Sequence, residues 1–369
     1  MSKETEIFFE LLRAGLWERE AHCTSFEGAN FDELFRITKE QSMFGPVVAG
    51  MEHVEDRSAI KQHIRPFASK VVKIEKRNTL MNKFIGVLFE KMRAAGIYAM
   101  LVKGQGIAQC YAKPMYRASG DVDLLLDEEN YRKAVPLFTS MAEKIREEDH
   151  SKLHFAMVIE GWEVELHGTL RGDTLRRVDK VIDETQANAF SSTSLIWNNG
   201  GIEIPVPQPD DNVIFVFTHI IQHFFDIGIG LRQICDWCRL LWTYRGSIDV
   251  RLLESRLQRM KLMTEWKAFA AFAVDYLGMP ADAMPLYSPS EKWKRKAARI
   301  ATLIIKWGNL GHNKDFSHQS KYPFLIYKAM SFCMRTRDAV KVCAVFPIDG
   351  LTAWCANLRR RSKVTMAGK

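Results

Sequence analysis

No uninterrupted apolar run in this 369-residue sequence approaches the ~18 residues that a membrane-crossing helix needs, so neither a membrane span nor a membrane partner is expected. Cysteine is sparse: the seven, at positions 23, 110, 235, 238, 333, 343 and 355, are odd in number and scattered, unlike a disulfide framework. The opening MSKETEIFFELLRAGLW sets acidic residues ahead of a short amphipathic pattern and lacks the apolar core of a signal peptide. These absences together point to a reducing, cytoplasmic setting. No internal repeat and no extended low-complexity tract is present, which excludes solenoid and fibrous architectures. Neither charge sign dominates, since 52 Lys plus Arg stand against 44 Asp plus Glu for a formal net charge of +8. That balance suits phosphate-bearing ligands. Without an aromatic-basic platform or a recognised RNA module, nucleic acid is a possible partner but not the favoured one. The basic run Arg359, Arg360, Arg361 and Lys363 reads as a solvated tail.

What is present is ordinary globular material, 47% hydrophobic and 26% charged, in a length suited to two or three compact units. Residues 1–96 repeat apolar positions at spacings of three and four, as in IFFELLRAGLW and MNKFIGVLFEKMRAAG, and form a helical N-terminal region that Gly96 closes. Residues 97–207 alternate short strand-like runs (IYAMLVK, DVDLLLD, HFAMVIE, WEVELHGTL) with helical stretches, among them DEENYRKAVPLFTSMAEKI, and end in a hairpin, SLIWNN and IEIPVP around Gly200-Gly201. Residues 208–369 return to helix throughout. The fold class that follows is α+β, a mixed-sheet core between an N-terminal helical region and a C-terminal helical domain.

The chemistry concentrates in the middle region. Strand alternation in SGDVDLLLD puts Asp121 and Asp123 on one face and Val122 on the other. Two carboxylates so close repel unless a cation lies between them, and Mg²⁺ with nucleotide phosphates is the natural candidate. WEVELHGTL repeats the device with Glu163, Glu165 and His167, so that either glutamate could complete a three-carboxylate cradle; Glu165, nearer the strand end, is favoured. Upstream, MLVK runs into Gly104 and a helix, a turn that aims backbone N–H groups at an incoming anion, with Lys103 and Arg117 available to neutralise phosphate.

LVKGQGIAQCYAKPMYRASGDVDLLLD followed by VELHGTL resembles the nucleotidyltransferase superfamily, and particularly its bacterial family of uncharacterised nucleotidyltransferases. Lys103-Gly104, Arg117, Asp121-x-Asp123 and Glu165-x-His167 match that family's pattern in order, from about Ile97 to Leu170, with looser likeness in HIIQHFF and LRQICDW. Gly104-Gln105 stands where the wider superfamily has Gly-Ser or Gly-Gly. The resemblance implies Mg²⁺ (or Mn²⁺) held by Asp121, Asp123 and Glu165 as catalytic and metal-binding residues, with Lys103, Gly104, Gln105, Arg117 and His167 on the nucleotide. It implies an NTP donor, an acceptor hydroxyl on a small molecule, sugar phosphate or protein, and pyrophosphate release. The alternative is an inactive relative that senses a nucleotide or a partner on the same fold.

Two signals have structural readings first. His219 and His223, with Cys235 and Cys238, are spaced for two zinc half-sites on successive helices, but the segment is strongly apolar and core packing is the simpler expectation. Arg232 and Asp236, four apart, suit an ordinary intrahelical ion pair, and the family resemblance allows them a second role in the wall of the nucleotide cleft.

Overall fold

Helix starts are written into the N-terminal third. Ser2 caps α1 (Lys3–Trp17), its Oγ accepting from the Thr5 N–H at 3.3 Å, and Asn30 caps α2 (Phe31–Glu40) through two N–H groups. These pack with α3 (Phe44–Met51), α4 (Ser58–Lys61) and the 31-residue α5 (Ile64–Ala94). The crossing of α1 and α3 is so tight that a Cβ on Gly50 would fall 1.8 Å from the Leu11 carbonyl oxygen. Gly96, at φ +65°, ends α5 in the left-handed region as its place after the last apolar position implies. The computed structural model describes residues 2–21, 26–55, 58–146, 148–150, 153–172, 175–311, 313 and 323–366.

The middle of the chain builds a five-stranded mixed sheet from β1 (Met100–Val102), β2 (Val122–Leu125), β3 (Lys144–Ile145), β4 (His154–Ile159) and β5 (Trp162–His167). The spatial order is β1-β2-β5-β4-β3, with β2 and β5 parallel and every other pair antiparallel. The short α6 (Gly104–Ala108) follows β1, and α7 (Glu128–Met141), capped by Asp127, follows β2. The helical stretch expected to run to Ile145 stops at Met141, and Lys144–Ile145 becomes an edge strand on β4. Two residues carry no periodicity, so only pairing reveals such a strand. After α8 (Arg176–Ser191), β6 (Leu195–Asn199) and β7 (Ile202–Val206) form the expected hairpin.

The rest is helical: α9 (Pro209–Asp226), α10 (Leu231–Thr243), α11 (Val250–Met260), α12 (Met263–Asp275), α13 (Glu291–Trp307), α14 (Phe324–Val345) and α15 (Pro347–Met366). Trp266 meets both Phe217 and Trp237 edge to face at its centre, with the two tryptophan rings 4.9 Å apart. The protein is α+β with helical regions on both sides of the sheet. Every described cysteine is free, and no helix among the described residues is long and apolar enough to cross a membrane. The basic run lies at the end of α15, where the side chains of Arg360, Arg361 and Lys363 fall outside the described residues.

Pleating gives the sheet two unlike faces. Leu101, Val122, Leu124, Val164 and Leu166 point to one side and pack with Ile85 and Leu88 of α5 and Phe138 of α7. Met100, Val102 and Leu125 point to the other and join the core of the C-terminal helices. Asp123, Glu165 and His167 share that second face, so the helices α9 and α10 close over charge as well as over hydrocarbon.

One acid in the C-terminal core is costly to ionise. Glu265 of α12 is 3% exposed and stands beside Asp349; burial and that second carboxylate push its pKa up to about 8. A carboxyl whose folded pKa lies above its unfolded value stabilises the fold below the unfolded value and loses that contribution as pH rises through the folded one. Denaturant unfolding should therefore show stability falling between about pH 4.5 and 8, by at most about 1.4 kcal/mol per pH unit from this group. Glu265→Gln should flatten that slope.

Candidate active site

The register of β2 against β5 sets Asp123 directly beside Glu165, with Val122 and Val164 paired behind them in the opposite layer. Across β5, His154 of β4 lies opposite His167. Asp123 is 3% exposed, and its Oδ1 receives both the Lys103 ammonium at 2.9 Å and the His167 Nε2 at 2.9 Å. Glu165 Oε2 lies 3.2 Å from His154 Nε2 and 3.4 Å from His167 Nε2. Glu163 instead points to the exposed end of the strand and pairs with Arg146.

The charges on this face are strongly coupled. Burial alone would push the Asp123 carboxyl up, but Lys103 and His167 more than offset it and hold it below the ordinary range. Hydrogen bonds from His154 and His167 depress Glu165 further. Burial works against the charged forms of Lys103 and His167, and their carboxylate partners outweigh it, so both are raised. Asp121, just ahead of β2, is the exception. The neighbouring Asp123 and burial push its carboxyl up, the mark of an acid whose repulsion lacks a sufficient cation.

Lys103 reaches Asp123 from a strained turn, with φ +57° and ψ −147° outside the regions that side chains favour. Gly104 follows at φ +41°, a conformation that glycine adopts without penalty, and a Cβ there would approach the Asp121 carbonyl at 3.5 Å. Gln105 is 2% exposed, and its buried Nε2 has no hydrogen-bond partner.

The segment from Pro114 to Gly120 that delivers Asp121 is pinned from α5. Asn78 Nδ2 donates to the carbonyls of Met115 at 2.7 Å and Arg117 at 2.9 Å, while its Oδ1 accepts from Ser119 Oγ at 2.5 Å. Sequence reasoning passed over Asn78. Its signal was available: an asparagine in the apolar stripe that runs through Phe67, Val71, Met81, Ile85 and Leu88 must be satisfied by something specific. Gly45 on α3 supports the same segment, because a Cβ there would meet the Tyr116 carbonyl oxygen at 1.9 Å.

Arg117 lies under the site. Its Nε and Nη2 donate to the two oxygens of Asp236 at 2.9 and 2.7 Å, and Tyr111 Oη donates to the same carboxylate at 2.8 Å. Arg117 and Asp236 are 5% and 4% exposed. The i,i+4 partnership expected between Arg232 and Asp236 is thus replaced by a bidentate pair between the 114–120 segment and α10. Loop-to-helix pairing of this kind leaves no trace in local spacing.

His219 and His223 on α9 stack edge to face at 4.3 Å and both feel the charge of Lys103. Burial first, and Lys103 second, hold them neutral, His223 pushed down to about 4. Among the described residues they form no metal-sized group with Cys235 and Cys238, whose thiols burial pushes far up; a four-ligand zinc site is not made. The group compact enough to hold a cation is His154, Glu165 and His167, with one ligand atom from each all within 4.8 Å of one another. Sequence reasoning missed His154, which joins the site only through the β4–β5 register.

The model of the family described as uncharacterised nucleotidyltransferase matches residues 27–278, and the chain belongs to that family. Searches of curated proteins and of solved structures found no match.

Removing one member of a buried, hydrogen-bonded ion pair strands the other charge, at a cost of about 3–5 kcal/mol. Arg117→Ala should therefore lower unfolding free energy by about that amount in denaturant titrations. A stability close to wild type would mean that Asp236 is satisfied without it.

Proposed function

We propose that this member of the uncharacterised nucleotidyltransferase family moves a nucleoside monophosphate from an NTP to an acceptor hydroxyl with release of pyrophosphate, using Asp121, Asp123 and Glu165 as the carboxylate cradle for Mg²⁺ or Mn²⁺. The observation that carries this reading is the pairing of Asp123 with Glu165 on adjacent parallel strands, with Asp121 two residues upstream and its carboxyl pushed up by Asp123. An acid raised by a like charge is stabilised by an arriving dication, so the donor set fits the group that the family implies. When bound, that ion would neutralise phosphate charge and favour ionisation of the acceptor hydroxyl. The imidazole of His154 beside Glu165 favours Mn²⁺ over Mg²⁺, since Mn²⁺ accepts a nitrogen donor more readily, whereas His167, engaged by Asp123 and Glu165, has no lone pair for a metal while so bonded.

The chain's own groups divide the remaining work. Lys103 supplies a fixed positive charge at the strand end, and its strained turn with Gly104 brings backbone close to where phosphates would lie. Gln105, whose buried Nε2 lacks a partner, stands in the same turn, and its backbone follows Gly104 toward the phosphate side. His167 orients Asp123 and Glu165 together. Arg117 acts through Asp236, holding the segment that precedes Asp121. The neutral His219 and His223 cover the face from α9 and limit water there.

A second reading, a nucleotide sensor without turnover, is favoured by one observation: Lys103 and His167 already compensate Asp123, so the fold does not need a metal to tolerate its buried acid. The two are separated by titrating four NTPs with Mg²⁺ or Mn²⁺ into wild type and an Asp121→Asn/Asp123→Asn double variant, and by following pyrophosphate after adding a cell extract as acceptor source. Transfer predicts metal-dependent binding of an NTP, tighter with Mn²⁺, weakened at least about 100-fold in the double variant on the loss of two charged contacts. Pyrophosphate release should vanish with it. Binding that is indifferent to metal and to both substitutions would remove the cradle and leave the sensor.

A further inference from the structure

Asp236 has more claimants than oxygens. Arg232 precedes it by one helical turn on α10 and would ordinarily pair with it. Both carboxylate oxygens are instead occupied, Oδ1 by Arg117 Nε and Tyr111 Oη, and Oδ2 by Arg117 Nη2. Arg232 keeps one hydrogen bond, from Nη1 to the Ala118 carbonyl at 3.1 Å, while its buried Nε has no partner. Among the described residues no carboxylate lies within ion-pair distance of it. A half-buried guanidinium with one buried donor unpartnered and no acid beside it is an unfilled anion seat.

Its surroundings say which anion. Ala118 lies three residues before Asp121, and Arg232 and Asp121 are near enough that each feels the other's charge. His219, on the neighbouring α9, feels both Arg232 and Lys103, so Arg232 overlooks the same face as the lysine. Lys103 is ion-paired with Asp123 and Arg117 with Asp236, whereas Arg232, among the described residues, has no carboxylate partner. Burial and the like charge of Arg117 make its ionised form costly, and an anion would relieve both.

We propose that Arg232 is the anion-binding residue of the site and grips the phosphate chain of the donor, in particular the two phosphates that leave as pyrophosphate. The assignment rests on the nucleotidyl-transfer reading above and deepens it by giving the phosphate-binding role to Arg232 rather than Arg117. A planar guanidinium can hold two phosphate oxygens at once, which a lysine cannot.

Calorimetry with inorganic pyrophosphate in EDTA, and with the Mg²⁺ complex of whichever NTP binds, tests this on full-length wild type, Arg232→Gln and Arg232→Lys, each first checked by thermal melting. Loss of a charged, bidentate contact should weaken both ligands about 10- to 100-fold in Arg232→Gln and about 3- to 10-fold in Arg232→Lys. The ligand-free melting midpoint of Arg232→Gln should be unchanged or higher, because burial and the like charge of Arg117 outweigh what Asp236 and Asp121 return to the charged side chain. Wild-type affinity for both ligands in either variant overturns the Arg232 assignment and leaves the transfer reading standing. Should Arg232→Gln not fold, Arg232→Lys decides by the same criterion. If the wild type binds neither pyrophosphate nor any NTP, the transfer reading falls first and takes this assignment with it.

Discussion

A carboxylate buried in the centre of a sheet has to be compensated where it stands, and Asp123 sets that requirement for the whole middle of the molecule. Its Oδ1 gathers Lys103, from the turn that ends β1, and His167 from β5, and these two strands flank β2. That arrangement fixes the end of β1, forces the strained backbone at Lys103, and ties β5 to β2 through side chains as well as through the ladder. His167 then links Asp123 to Glu165, and Glu165 links to His154, so charge compensation runs across three strands. Networks of this kind are stabilising only when complete, because each partner that is lost leaves another buried and unpaired.

A second buried pair joins the sheet side to the C-terminal helices. Arg117 and Asp236, with Tyr111, lock the segment before Asp121 onto α10, and Asn78 locks the same segment onto α5. The loop that presents Asp121 is therefore held from two directions by helices outside the sheet. The family match over residues 27–278 extends well beyond the strands into both helical regions, which agrees with a site whose geometry depends on both. The Arg117–Asp236 pair also determines that Arg232, and not its i,i+4 partner, is left with unsatisfied donors.

Much of the fold was legible from the chain. Periodicities of two and of three to four located the four main sheet strands, the hairpin around Gly200-Gly201 and the long helices, because each of those elements has one apolar and one polar face. The Asp-x-Asp and Glu-x-His spacings put each set of acids on one side of its own strand, and the family resemblance rested on the same residues. The two-residue β3 and the early end of α7 were not legible, since an edge pair is defined by its neighbour and not by its own composition.

Sequence by itself determined which residues share a strand face and therefore that Asp121, Asp123, Glu165 and His167 were candidates for one site, because alternation is a local property of the backbone. It determined the α+β class for the same reason, and the order of its motifs carried the family resemblance. Only the tertiary structure decided who partners whom: that Lys103 and His167 meet at one oxygen of Asp123, that His154 enters through register, that Asn78 pins the loop, and that Asp236 takes Arg117 in place of Arg232. These are contacts between residues 11 to 119 positions apart, set by how strands pair and helices dock. Local spacing carries no information about such contacts.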